Sequence, residues 1–434
     1  PLARAHLTRR FFFVRAWLMC VHPALHRVLC LRMLTKGGVI CQHFRSKGEE
    51  TVSFAPLGVL RLSQAALVNY SETLYDPSKG VKMYVLDPNL ASLNRIFDQN
   101  KREGYLRLDL NENPGGLPQE FIDKVLEGIG PEFISQYPET LEFTQILADY
   151  LGTDIEHICL VNGSSEGIRQ IMEAFTLPGG RIVGVTPTYA MFEVYAKMYG
   201  RTFVPVTYTE DLKMPIERIL EQLTPDTQLL ILVQPNNPLG NAYTEEEFER
   251  ILAAADENEI TVLVDEAYHY FYPGTFIKTA LSREHVFVTR TFSKLFSLAG
   301  CRLGYVTGWP EGVAMVQKLC TPHNVNAFAM RFAKAILQEP GMVDALVKKQ
   351  LDGKHHLMDL LEQHGYEYNG SEGNFLFIKP KTDAQEVVAR MKAEKGILIK
   401  SYPNVGKLGD CLRVSTGEAC YMDRFMDALL ELEA

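Results

Sequence analysis

The chain has 434 residues, 46% of them hydrophobic, with a formal net charge of −9 and a pI near 5.7. That length accommodates two domains of ordinary size and a large buried core. The acidic balance excludes a nucleic-acid binder relying on bulk positive potential, and it fits a cytoplasmic protein whose anionic ligands are small and held locally.

In chain order, the first region stands apart. Residues 1–50 carry nine Lys/Arg against only Glu49 and Glu50, the reverse of the whole-chain balance. The run FFFVRAWLMCVHPALHRVLCLRML is basic and apolar like a targeting segment, but Arg15, Arg27 and Arg32 interrupt it too often for a bilayer span of about 20 apolar residues. No membrane anchor is expected. Residues 1–82 are read as an atypical basic segment, non-native or disordered, with Met83 as the natural start. Residues 83–135 are too short to fold alone and are expected to pack onto the C-terminal region as part of a small domain.

From about residue 155, apolar runs alternate with helical patterns. HICLV, RIVGV, TFVPV, QLLILVQ, ITVLVDEA and HVFVTR predict strands, and TEEEFERILAAADENE predicts an amphipathic helix opened by a Thr/Glu capping box. Runs apolar on both faces suit a mainly parallel sheet covered by helices, so residues 136–324 are expected to form a large α/β domain. After about residue 325 come one long helical stretch, then GNFLFIK, a helix around AQEVVARMKAEKG, GILIKSY, CLRVSTG and a final helix. Residues 325–434 read as a smaller α+β domain. There is no internal repeat and no low-complexity linker.

Eight cysteines show no CxxC pair and no Cys/His metal spacing; they read as reduced thiols, and no structural metal is expected. His355 and His356 are adjacent and diverge on any helix, so they share no ligand site through it.

In an open parallel sheet, ligands sit outside the carboxyl ends of the strands. Here LLILVQ ends in PNNPLG with Asn237, ITVLV ends in Asp265 and Glu266 with Tyr268 beyond, and HVFVTR leads to Thr291, Ser293 and Lys294. HICLV ends in the polar turn NGSSEG, which opens a helix. Singly, each has an ordinary structural reading: an N-cap, a strand-end cap, a solvated lysine. Together they supply an amine for an imine, a carboxylate for a pyridinium proton, amide and hydroxyl groups for a phenolate oxygen, and a cup for a phosphate. Pyridoxal 5'-phosphate requires those parts. Desolvation and a neighbouring cation such as Arg302 would keep Lys294 nucleophilic. Thr291, Ser293 and Arg302, with a helix N-terminus, suit a phosphate dianion.

PNNPLG, VDEAYHYF, TFSKLFSLAGCRLGY and LRVSTG, with Asn237, Asp265 and Lys294 spaced 28 and 29 residues apart, resemble the fold-type I aminotransferases of class I/II. Over residues 83–434 the chain is most similar to the histidinol-phosphate aminotransferase group, through LDLNENPGG, SQYPE, NGSSEGI, TPTYAMF and GILIK followed by CLRVS. The resemblance implies Lys294 as Schiff-base lysine and proton shuttle, and Asp265 paired with the pyridine nitrogen. It implies Asn237 and Tyr268 on the cofactor O3', Tyr189 stacked on the ring, and Gly163, Ser164, Ser165, Ser293 and Arg302 around the phosphate. Tyr137 would reach the cofactor phosphate of a neighbouring subunit, making the protein a homodimer. Arg413 would grip the substrate α-carboxylate, with Asn374 positioning both. Lys400 stands where the group commonly has an arginine for the substrate's phosphate, and is expected at the opposite end of the pocket from Arg413. The segment NLASLNRIFDQNKREGYLR lacks the tyrosine-rich pattern that family members often place near the substrate side chain.

The expected activity is amino transfer between an amino acid or amino-alcohol phosphate and a 2-oxo acid, with L-histidinol phosphate and 2-oxoglutarate as the leading pair. A threonine-phosphate decarboxylase-like lyase and an aromatic amino acid aminotransferase would use the same cofactor pocket. A cofactor-sensing regulator fused to a DNA-binding module is disfavoured, because Pro23 and Gly37-Gly38 break any long recognition helix in the basic segment.

Overall fold

The computed structural model describes residues 87–93 and 102–434, together with the backbone of three strands in the first region. Residues 1–85 and 86–434 form separate compact units. In the first, β1 (Arg32–Lys36), β2 (Val39–Ser46) and β3 (Glu49–Pro56) make an antiparallel sheet where the sequence predicted no elements. Met83 and the rest of the basic segment lie outside the described residues.

In the second unit, β4 (Leu106–Arg107) precedes the main sheet. That sheet is built from β5 (Ile158–Val161), β6 (Arg181–Thr186), β7 (Thr202–Thr207), β8 (Thr227–Val233), β9 (Thr261–Asp265), β10 (Val286–Thr291) and β11 (Gly304–Gly308), in the spatial order β5-β11-β10-β9-β8-β6-β7. The six predicted strands are all present. β11 was not among them, because Gly304 and Gly308 bracket a short run that also serves as the tail of a motif. It is antiparallel to both β5 and β10, while the other pairings are parallel, so the sheet is mixed and mostly parallel.

The strand runs are apolar on both faces for the reason the sequence suggested. Leu229, Ile231 and Val233 of β8 pack with Ile168, Ile171 and Met172 of the helix Ser164–Phe175 and with Val313 and Val316 of the helix Pro310–Gln317. Leu230 and Leu232, one residue out of phase, pack with Phe248, Ile251 and Leu252 of the helix Glu245–Glu257. A two-residue side-chain period thus gives one strand two helix layers. The helix Glu245–Glu257 starts with the expected capping box: Thr244 accepts from Glu247 N, and the Glu247 carboxylate accepts from Thr244 N. Loss of such a cap costs about 1 kcal/mol.

The long helical stretch after residue 325 is two helices, Ala327–Gln338 and Met342–Gln363, broken at Pro340 and at Gly341, whose φ is 72°. A second sheet follows: β12 (Tyr368–Asn369), β13 (Phe375–Ile378), β15 (Lys400–Val405) and β16 (Gly409–Ser415), antiparallel in the order β12-β13-β16-β15. Between them, β14 (Ile397–Leu398) pairs in parallel with β4. That pairing, with Leu106 and Leu108 buried among Leu412, Val414 and Phe425, joins residues 106–108 to the C-terminal sheet. It also carries the loop of residues 109–113 over the carboxyl ends of the main sheet's strands.

Candidate active site

β8, β9 and β10 run parallel, so their carboxyl ends present Asn237, Asp265 and Lys294 to one region. Asp265 is buried, and Thr289, its register partner on β10, donates to Oδ1 at 3.2 Å. Burial pushes its carboxyl up to about 7, against the Thr289 hydroxyl and the Ala267 N–H; Glu266 adds to the rise and Lys294 opposes it. One residue on, Glu266 is equally buried but saturated. Its carboxylate accepts from Arg290 Nε at 2.9 Å, Thr275 Oγ1 at 2.9 Å and Phe276 N at 2.6 Å.

Lys294 lies in the turn after β10, held by Ser297 N donating to Lys294 O at 3.1 Å and Leu298 N donating to Phe292 O at 3.0 Å. Its half-buried side chain passes 5.8 Å from the Tyr268 ring centroid, and Nζ donates to Leu110 O at 2.9 Å. Desolvation lowers the amine to about 8, aided by Arg413 and Arg302 and opposed by Glu112 and Asp265. An amine near 8 is partly neutral at physiological pH, the form that attacks a carbonyl.

The polar turn after β5 forms a cup. Gly163 caps the helix Ser164–Phe175 with φ 80°, and a Cβ there would run into the Arg302 guanidinium. A Cβ on Gly304 would come within 2.6 Å of Ser164 N. Arg302, at φ 55°, donates through Nη1 to Ser293 Oγ at 3.2 Å, and Thr291 Oγ1 donates to the same Ser293 oxygen at 2.9 Å. Among the described residues, no carboxylate lies within ion-pair distance of Arg302. A guanidinium without a counter-ion, hydroxyls and the first turn of a 12-residue helix fit a phosphate. Ser165 Oγ bonds Tyr189 OH at 3.0 Å, so Tyr189 joins the cup, and desolvation raises its phenol.

On the other side, Arg413 Nη1 donates to Asn237 Oδ1 at 2.9 Å and Nη2 to Asp109 O at 2.8 Å, while its Nε is buried without a partner. Asn237 therefore keeps its amide NH₂ as the donor for an oxyanion. Tyr268 is buried, raised to about 12 by desolvation with Arg413 opposing, and its OH accepts from Asn111 Nδ2 at 2.9 Å. Asn374 makes no hydrogen bond to Arg413. It donates to Asn111 O at 3.1 Å and leaves Oδ1 buried and unpaired, so it braces the loop rather than the arginine.

Lys400 and Arg413 differ from expectation. They are register partners across the β15–β16 pair, and directly opposed residues project from one face with Cβ atoms about 5 Å apart. They start side by side and do not mark opposite ends of a pocket. Arg413 is, after desolvation, the largest influence lowering Lys400. Tyr137 sits elsewhere, exposed and stacked on His323 at 4.4 Å. The sequence reading assigned no role within residues 108–113. Asp109 and Asn111 hold Arg413 and Tyr268 through a backbone carbonyl and a side-chain amide, contacts for which LDLN carries no periodic pattern. The positive φ of Asn111, 56°, is the one local cue, since Asn tolerates it.

A lysine amine lowered to about 8, a buried carboxylate, a helix N-terminus beside a guanidinium with no counter-ion among the described residues, and an arginine with a buried, unpartnered Nε fit pyridoxal-phosphate chemistry on a mostly parallel sheet. The aminotransferase class I and II family matches residues 103–429, and the chain belongs to that family, with pyridoxal 5'-phosphate as its cofactor. It is 33% identical to histidinol-phosphate aminotransferase 2 of Nitrosococcus oceani over 334 residues, 75% of this chain and 91% of that one. The crystal structure of the histidinol-phosphate aminotransferase from Clostridium acetobutylicum matches with a TM-score of 0.68 at 25% identity, over 76% of this chain and 99% of that one. The Sinorhizobium meliloti histidinol-phosphate aminotransferase, solved in complex with pyridoxal-5'-phosphate, shares the fold with a TM-score of 0.72 at 23% identity, over 82% and 98%.

Proposed function

We propose that this aminotransferase moves the amino group of L-histidinol phosphate to 2-oxoglutarate. The observation that carries the substrate reading is Lys400, half-buried beside Arg413 with no hydrogen bond or ion pair to its amine among the described residues. In histidinol phosphate the phosphate ester stands on the arm that replaces an amino acid's α-carboxylate. Two adjacent cations suit that dianion where one suits a carboxylate. The names of the relatives at about 30% identity favour the same substrate.

The bound cofactor supplies a carbonyl for amine exchange and an electron sink for the charge left on the substrate Cα. Asp265, raised in the free protein by burial, is drawn to its ionised form when a ring cation lies beside it, and holds that proton in place. The Asn237 NH₂ and the Tyr268 hydroxyl are available to the ring oxygen, with Tyr189 on the ring face. Gly163, Ser164, Ser165, Thr291, Ser293 and Arg302 take its phosphate. Lys294 would be the free amine that takes the substrate Cα proton and delivers it to the cofactor's carbonyl-derived carbon, on the far side of the shared nitrogen. Arg413 orients the acid arm of each substrate in turn.

We read the protein as a cytoplasmic homodimer. Among the described residues no helix is long and apolar enough to cross a membrane. Tyr137, 79% exposed, lines a groove of about 620 Å³ with Phe133 and Met330, and the nearby Ile134 and Leu141 are 69% and 64% exposed, apolar side chains suited to cover by a second copy. Residues 83–135 with 325–434 would form the small domain and 136–324 the large one, a division supported by the β4–β14 pairing. A half-reaction titration against histidinol phosphate, glutamate, phenylalanine and threonine phosphate, followed by cofactor absorbance, tests the reading. Amino transfer only from unphosphorylated amino acids would reject it, and release of carbon dioxide from threonine phosphate would favour the lyase alternative.

A further inference from the structure

We infer that Arg102 is a further cation of the substrate's anion site, acting with Lys400 to select a phosphate monoester over a carboxylate. The inference rests on the aminotransferase reading above and assigns a specificity role to a residue in the segment that lacks the tyrosine-rich pattern.

The β4–β14 pairing brings residues 102–112 beside Lys400 and Arg413. Asp109 is the junction: its backbone oxygen accepts from Arg413 Nη2 at 2.8 Å, and its carboxylate accepts from Arg102 Nη2 at 2.5 Å. Glu112 takes the same guanidinium at 2.7 Å through Nη2 and 3.3 Å through Nη1. Arg102 lies close enough to Lys400 to disfavour its charge, as do Arg413 and Lys294, with desolvation the largest influence and Asp109 opposing. Among the described residues, three cations besides Lys294 thus meet two carboxylates, and Lys400 remains unpaired. Arg102 Nε is also buried without a partner. A partly desolvated site with surplus positive charge and an unused guanidinium N–H is poorly satisfied by protein alone, and an incoming dianion supplies what is missing.

A purely structural role fits less well. The backbone of this segment is tied by Arg107 Nε donating to Arg102 O at 2.9 Å, and by Leu106 N and Leu108 N in the β4–β14 pair, none of which uses the Arg102 side chain. Asp109 and Glu112 orient the guanidinium and screen it from monoanions. A phosphate dianion competes with them better than a carboxylate, because its charge is double and its three oxygens match the fork.

The test uses the holoenzyme with Arg102→Ala, Arg102→Lys and Lys400→Ala, alone and combined. KM and kcat are measured separately for histidinol phosphate and glutamate, and inorganic phosphate binding by isothermal titration. Arg102→Ala should raise KM for histidinol phosphate about 10- to 100-fold with kcat changed much less, and weaken inorganic phosphate to a similar degree. Its effect on glutamate should be several-fold smaller, and Arg102→Lys should recover part of the loss. Arg102→Ala combined with Lys400→Ala should cost less than the product of the single effects, since both serve one anion. Equal losses for both donors, or unchanged phosphate affinity with a lowered melting temperature, would make Arg102 a clamp and overturn the inference. Wild-type enzyme that binds inorganic phosphate through Arg102 yet does not use histidinol phosphate would instead remove the substrate reading and leave the anion site standing.

Discussion

Two charged regions meet at the end of β9 and follow opposite rules. On one side, Glu266 and Arg290 are 1% and 4% exposed, and the Glu266 carboxylate is filled by the guanidinium, the Thr275 hydroxyl and the Phe276 N–H. On the other, Lys294, Arg413, Lys400 and Arg102 crowd around Asp109, Glu112 and Asp265, with the Arg413 and Arg102 Nε atoms unpartnered. Both regions are costly to desolvate. The first meets that cost within the chain, and it can only hold the fold together. The second leaves it partly unmet, and its unpaired groups are the ones the proposed substrate would satisfy.

The comparison breaks most sharply at Lys294. Lys294→Ala should reduce amino transfer at least about 10³-fold, because in the proposed reaction one side chain both bonds the cofactor and moves the proton, while the fold is kept. Borohydride reduction of the wild-type holoenzyme should tag this lysine; a tag on another would displace it from the centre. Glu266→Ala, by contrast, should act on stability. It strands Arg290 in the core, and the urea midpoint should record a loss of about 3–5 kcal/mol. A small loss there would mean the saturated pair is not the structural counterpart it is taken to be.

Asp265 gives the pH test. Its folded-state value of about 7 lies above the ordinary 3.8, so between roughly pH 4 and 7 the folded apoprotein binds more protons than the unfolded chain, and stability falls as pH rises through that window. The fall should be roughly 1–4 kcal/mol and absent in Asp265→Asn. Lys294 has the opposite slope: with the folded amine near 8, apoprotein stability rises between about pH 8 and 10.5, and Lys294→Ala removes that rise. The smallest effect expected is that of Lys400→Ala, about 10- to 100-fold in kcat/KM for histidinol phosphate, with phenylalanine nearly unaffected, whereas Arg413→Ala should damage both. Equal loss for both donors on changing Lys400 would return that lysine to the structural side of the comparison.

What the sequence determined by itself was local in character. The strand periods, the Thr244 capping box and the strand-end positions of Asn237, Asp265 and Lys294 all follow from patterns a few residues long, and the spacing of motifs pointed to the aminotransferase family. β11 escaped, because an antiparallel strand inserted between β5 and β10 is five residues bracketed by glycines, and its order in the sheet is set by partners far away in sequence. The substrate side was least legible. Lys400 was expected across the pocket from Arg413, yet β15–β16 register makes them neighbours; Asn374 was expected on Arg413, yet it supports Asn111. Asp109 reaches Arg413 through a backbone oxygen, which no residue type announces, and only the β4–β14 pairing brings it there. Contacts that join residues about 300 positions apart through main-chain atoms are decided by tertiary packing, because the sequence encodes side chains and their periods directly but the meeting of distant backbones only through the fold as a whole.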